Sequence, residues 1–191
     1  MSFPAMDPAG LRAGHKEIIP TARVLLYLLT ALLVVSAVDG GWTTAGFLWL
    51  SLWLLTLALR DIENLETPGV WRAIAVVPSA GLLVAADVAI AEGTRTSRGL
   101  ITLALVAAAL VVLRAAYPAG VDDDDWVLLL GAAAQLGWLD WQAATIGLLA
   151  IFGSFGLFTA ALLLRDRPLA HEAVPISPFV YLGVLTGIAL A

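Results

Sequence analysis

Ala119-Gly-Val-Asp-Asp-Asp-Asp-Trp-Val-Leu-Leu-Leu-Gly131 sets four consecutive aspartates, Asp122 to Asp125, directly against an apolar run that begins at Trp126. A carboxylate beside membrane hydrocarbon is costly unless it is capped, paired or protonated, so such a position is a functional candidate by default. The rest of the chain supplies the hydrocarbon. Of 191 residues, 61% are hydrophobic and only 13% are charged, and the mean hydropathy is +0.94. No soluble domain of this size needs so much apolar surface, which makes this an all-α polytopic membrane protein. Residues 22–191 read as a single transmembrane helical domain. Residues 1–21 are polar, contain Pro4, Pro8 and Pro20, and read as a short cytoplasmic tail.

Seven apolar stretches follow the tail, near 22–38, 42–59, 70–91, 99–117, 126–139, 142–164 and 175–191. Most approach the roughly 20 residues that cross a bilayer as helix. The first has a long polar leader and no clean small-residue cleavage site, so it reads as a retained span rather than a signal peptide. With the N-terminus inside, one face receives Arg12, Lys16, Arg23, Arg60, Arg72, Arg114, Arg165 and Arg167, and the other only Arg95 and Arg98. Eight against two sets the orientation with the N-terminus cytoplasmic. Trp42, Trp138 and Trp141 then fall at the outer interface, and Trp71 and Trp126 at the inner one.

Several chemistries are excluded. No cysteine occurs, so there is no disulfide, thiolate zinc site or cysteine nucleophile. His15 and His171 lie in polar intervals far apart and read as solvated loop residues; neither a metal nor a cofactor is expected. The net charge of −5 arises partly from the Asp run, which is no basic surface for nucleic acid.

The topology brings two carboxylates together. Asp61 ends the second span and Asp125 begins the fifth, on the same cytoplasmic side, although 64 residues (125 − 61) separate them. The fifth stretch is also short: its fourteen residues rise roughly 21 Å as helix, against a hydrocarbon core of roughly 30 Å. To span, that helix must extend backward through some of Asp122 to Asp125, drawing Asp125 to a depth where charge is costly. Two carboxylates in a partly water-excluded site share a proton. One then acts as general base on a water while the other donates to the substrate, which is the logic of aspartyl proteolysis. The residues alone also fit a plainer reading, with Asp122 to Asp125 capping a helix and Asp61 a solvated charge beside Arg60.

Leu57-Ala-Leu-Arg-Asp-Ile-Glu-Asn-Leu-Glu-Thr-Pro68 resembles the first signature of the type IV prepilin peptidase and archaeal preflagellin peptidase family. There an Asp ends an apolar span and a proline commonly follows seven residues later, as Pro68 follows Asp61 here. The second signature, Gly-x-Gly-Asp or Gly-x-Ala-Asp before an apolar helix, is matched by Val121 to Gly131 with Asp125 as the motif aspartate. Val174-Pro-Ile-Ser-Pro-Phe-Val-Tyr-Leu-Gly183 is similar to the family's final helix. The likeness covers roughly residues 43–191, giving six family-like spans plus one at the N-terminus. It departs at the second signature: Asp124 and Asp122 stand at the glycine positions, and Val127 replaces the following lysine. Glycines there would admit a substrate strand close to the backbone, so their loss bears on activity. A second register makes Asp122 the motif aspartate, after Ala119, Gly120 and Val121.

The resemblance implies a prokaryotic cell-membrane endopeptidase with its site facing the cytoplasm. Its catalytic pair would be Asp61 and Asp125, and its partners prepilin-like or archaellin-like precursors. It would cut their short basic leader, which carries Lys or Arg just before the cleavage point and an apolar helix just after it. Asp122, Asp123, Asp124, Glu63 and Glu66 would attract that leader. Larger members also N-methylate the new terminus and carry a cysteine-rich zinc loop, so a chain without cysteine implies peptidase activity alone. Two other classes compete: a non-enzymatic degenerate member or cation-gathering membrane protein, and a magnesium-dependent prenyltransferase, which normally needs a second Asp-rich motif. Elsewhere, Asp87 reads as an interface-facing or helix-paired carboxylate, Pro78 as a tolerated kink, and Gly153, Ser154 and Gly156 as a close-packing surface.

Overall fold

In the computed structural model the described residues are 20–38, 40–63, 65, 67–90, 93–116, 123–164 and 174–191. Their regular elements are all helices: α1 (Pro20–Ala37), α2 (Trp42–Ile62), α3 (Gly69–Ile90), α4 (Thr94–Ala116), α5 (Asp123–Leu139), α6 (Trp141–Leu163) and α7 (Ser177–Leu190). Each lies on one of the seven apolar stretches. Five of them, α1, α2, α3, α4 and α6, are long and apolar enough to cross a membrane, while α5 and α7 are shorter.

Breaks fall where the backbone chemistry demands them. Gly41 (φ 83°) and Gly93 (φ 61°) turn the chain in the left-handed region just ahead of α2 and α4. The Asp140 carboxylate caps α6 by accepting the Gln142 backbone N–H at 2.9 Å. Pro178 sits in the first turn of α7, where its missing N–H costs nothing. Two helices start three or more residues earlier than their apolar runs. The fifth begins at Asp123, three residues ahead of Trp126. The fourth begins at Thr94, because Asp87 on α3 reaches across and accepts the Thr96 N–H at 2.8 Å. Asp87 is only 1% exposed. It is therefore the helix-paired carboxylate of the two readings, capping a neighbouring helix.

Contacts show which helices touch. Consecutive helices α2 and α3 run antiparallel, with Arg60 over Trp71 and Trp49 bonded to the Ile74 carbonyl. So do α4 and α5, through Arg98 at the Trp138 and Leu139 carbonyls and Arg114 over Trp126. A central ring of α2, α3, α5 and α7 encloses Phe47, Leu54, Leu83, Leu128, Leu136 and Val184, all buried. Outside it, α1 packs on α2 and α7, α4 on α5, and α6 on α7. Polar ties hold α1: the Tyr27 hydroxyl meets Thr56 at 2.8 Å, and that of Tyr181 meets Thr30 at 2.5 Å.

Leu28, Leu32 and Val35 of α1, Leu105 and Val112 of α4, and Leu149 and Leu157 of α6 all point outward and are exposed. An apolar exterior of this extent belongs to a protein whose solvent is lipid. The molecule is an all-helical bundle of multi-pass membrane character.

Two packing expectations change. Trp138 is buried at 3% exposure, its ring 6.4 Å from Phe47, so it is a core residue and not an interface anchor; Trp42 and Trp141 are exposed as expected. A Cβ placed at Gly153 or Gly156 would meet nothing within 4 Å. Close approach of α6 to α7 instead runs through Gly147, Gly183 and Gly187. Gly153 and Gly156 lie on the exposed side of α6.

Candidate functional site

Two contacts with the start of α3 set the ends of α2 and α5 that carry the two carboxylates at one end of the bundle. Arg60, next to Asp61, lies with its guanidinium 4.7 Å from the ring of Trp71 at the start of α3. The adjacent Arg72 then pairs with Asp125, Nη2 to Oδ1 at 3.4 Å. Sequence order explains the geometry. The C-terminus of α2 and the N-terminus of α3 are joined by a short link, and α3 runs parallel to α5, also meeting it through Ser79 and Gln135 at 2.8 Å. The acidic ends of α2 and α5 are thus held by the same two residues of α3, Trp71 and Arg72.

Asp61 lies in the last turn of α2 and is partly buried. The helix closes on Glu63, whose N–H reaches the Leu59 carbonyl at 3.1 Å. No hydrogen bond or ion pair joins Asp61 to Asp125 among the described residues. Asp125 and Arg72 are both mostly buried, their side chains 16% and 14% exposed. The charge on Asp125 is therefore matched within the bundle in this conformation. Arg114 lies 5.7 Å over the ring of Trp126, so a cation stands on α4 as well.

Asp125 also borders a cavity of ≈ 110 Å³ between α4, α5, α6 and the segment leading into α7. Leu113, Leu129, Ile151, Phe155 and Ile176 are among its walls, and among the described residues Asp125 is the only charged one lining it.

The remaining expected site residues divide. Glu63 is buried and paired with Arg23 of α1, so its charge is already compensated, unlike that of a solvated loop acid. The backbones of Asp123 and Asp124 form the first turn of α5. Asp122, Glu66 and both histidines lie outside the described residues. Among the described residues no group of three or more His, Asp or Glu side chains is placed to hold a metal ion.

Sequence reasoning missed Arg72 and the cavity. Arg72 had a signal: it is a cation in the first turn of an apolar helix, at the same end of the bundle as Asp125. Because each member of the pair is largely buried, Arg72→Ala is expected to destabilise the fold by about 2–3 kcal/mol, and Arg72→Ala with Asp125→Asn together by less than the sum. Thermal unfolding in detergent micelles measures the cycle. Additive losses would show that the two side chains do not interact.

Comparison with protein-family models, with curated proteins and with solved structures yields no match. The class to which fold and site point is therefore drawn from the chain itself: a helical membrane bundle with a largely buried Arg72–Asp125 pair at one end.

Proposed function

We propose that this protein is a membrane-embedded aspartyl endopeptidase that removes the short basic leader of prepilin-like or preflagellin-like precursors at the cytoplasmic face of a prokaryotic cell membrane. In this reading all seven helices cross the bilayer, with the N-terminus inside. The 17-residue α5 and the 14-residue α7 rise roughly 26 Å and roughly 21 Å, so both cross only with local thinning of the bilayer.

The observation that supports the reading best is that Arg60, beside Asp61, lies over Trp71 while the adjacent Arg72 pairs with Asp125, so both motif aspartates stand at one end of the bundle. In the reaction, one carboxylate takes a proton from water as the water oxygen bonds to the scissile carbonyl carbon. The other, protonated, gives its proton to the amide nitrogen as the C–N bond breaks. The pair titrates as a unit, so base and acid are not separately assigned. For the proton to be shared, Arg72 must release Asp125 and the ends of α2 and α5 must close. The leader's Lys or Arg is drawn by Asp122, Asp123 and Asp124.

The second reading is a non-enzymatic member or a cation-gathering membrane protein. The Arg72–Asp125 pair and the aspartates at the motif glycine positions favour it. Membranes containing the wild-type chain and a tagged precursor with a basic leader separate the two. Cleavage at the junction of basic leader and apolar helix, insensitive to chelators, supports the peptidase. No cleavage of any such precursor supports the second reading, and chelator-sensitive turnover of an isoprenoid diphosphate would point to the prenyltransferase class.

A further inference from the structure

We infer that the cavity beside Asp125 is the subsite that receives the first apolar side chain of the mature protein, immediately after the cleaved bond; this rests on the peptidase reading. Attack on a peptide carbonyl at Asp125 brings the residues flanking that bond to the mouth of the cavity. One flank, the leader, ends in a cation. The other begins an apolar helix. Leu110, Leu113 and Leu129 on one side and Ile151, Phe152 and Phe155 on the other form walls of carbon, which suit an apolar side chain and would strip a cation of its water. The cleaved amine, once protonated, lies against the Asp125 carboxylate, so the same geometry that seats the side chain also matches the charge of the new N-terminus.

Size sets the preference. An apolar cavity of about 150 Å³ admits benzene, so ≈ 110 Å³ admits a side chain of the bulk of leucine. Alanine leaves the subsite part empty and tryptophan overfills it. Hydrophobic pockets discriminate by about tenfold or more for such changes.

The test compares precursors with Ala, Leu or Trp directly after the cut, using the full chain in membranes. Wild type is expected to favour Leu over both others by about tenfold in kcat/KM. Val174→Phe, on the segment before α7, narrows the cavity. It is expected to remove the roughly tenfold advantage of Leu over Ala, with folding read separately from the detergent-extracted yield and thermal unfolding of the variant. Phe152→Ala widens the cavity from a partly exposed position and is expected to raise cleavage of the Trp precursor. In wild type, a photoreactive leucine at the same precursor position is expected to crosslink to residues 151–155 of α6. Unchanged preferences in both variants, or crosslinks only to residues that do not line the cavity, overturn the subsite while the peptidase stands. Failure of wild type to cut any of the three precursors removes the peptidase reading, and the subsite with it.

Discussion

Asp61→Asn and Asp125→Asn are each expected to lower precursor cleavage by about a thousandfold, the scale of lost acid–base catalysis, with little change in the amount of folded protein. Asparagine keeps the shape and hydrogen-bonding reach of aspartate but neither accepts a proton from water nor donates one to a departing amine. Because the two groups act on one proton inventory, the double variant should be scarcely worse than either single one. Cleavage is read by the mobility shift of a tagged precursor, and folding by the detergent-extracted yield. The arrangement at the end of the bundle adds a second signature. Asp125→Asn also removes the charge that faces Arg72, so it should lower the unfolding temperature by an amount comparable to Arg72→Ala, whereas Asp61→Asn should not. Activity retained in Asp125→Asn but lost in Asp122→Asn would move the motif aspartate to Asp122. Activity retained in all three would sink the aspartyl mechanism. Charge-neutralising Asp123 and Asp124 to Asn is a milder test, expected to slow cleavage of basic leaders several-fold at low salt by removing long-range attraction.

Several features of this end are legible in the sequence. The number of helices follows from apolar runs of membrane length. The shared end for Asp61 and Asp125 follows from the up-and-down succession of helices α2 to α5, a matter of parity that needs no knowledge of neighbours. The backward extension of α5 to Asp123 follows from length alone.

What stays hidden depends on the rotation of each helix about its axis, which a uniformly apolar sequence does not display. The pairing of Arg72 with Asp125 requires that α3 and α5 be parallel neighbours although α4 intervenes in the chain. Trp138 reads as an interface residue because it lies near a helix end, but its rotation turns it inward against Phe47. Asp87 and Thr96 stand nine residues apart in sequence, yet the cap they form spans two helices. The cavity beside Asp125 is bounded by three helices and the segment before α7, so no local pattern announces it.

Glycine makes the same point with a large expected effect. Gly183→Leu should destabilise the bundle by about 3 kcal/mol or more, whereas Gly153→Leu on α6 should change stability by less than about 0.5 kcal/mol. Between lipid-embedded helices there is no hydrophobic gain from association, so close backbone contact supplies much of the attraction. At Gly183 even a Cβ would stand 2.7 Å from the Gly147 carbonyl oxygen and would collide with the Ile151 side chain. The backbone carbonyl cannot rotate aside without disturbing α6, so the helices must separate. Gly187, where a Cβ would stand 2.8 Å from the Ala143 oxygen, lies in the same seam. At Gly153 a Cβ meets nothing within 4 Å, and a leucine side chain there only extends into lipid. Thermal unfolding of the purified variants measures the contrast, and equal losses at the two positions would overturn this account of the α6–α7 seam. Ile151 gives the seam a second consequence, because it both packs on Gly183 and lines the cavity at Asp125. A side chain at position 183 that displaces Ile151 should therefore shrink the subsite. The milder Gly183→Ala is expected to lose cleavage of a precursor with Leu after the cut before it loses cleavage of one with Ala.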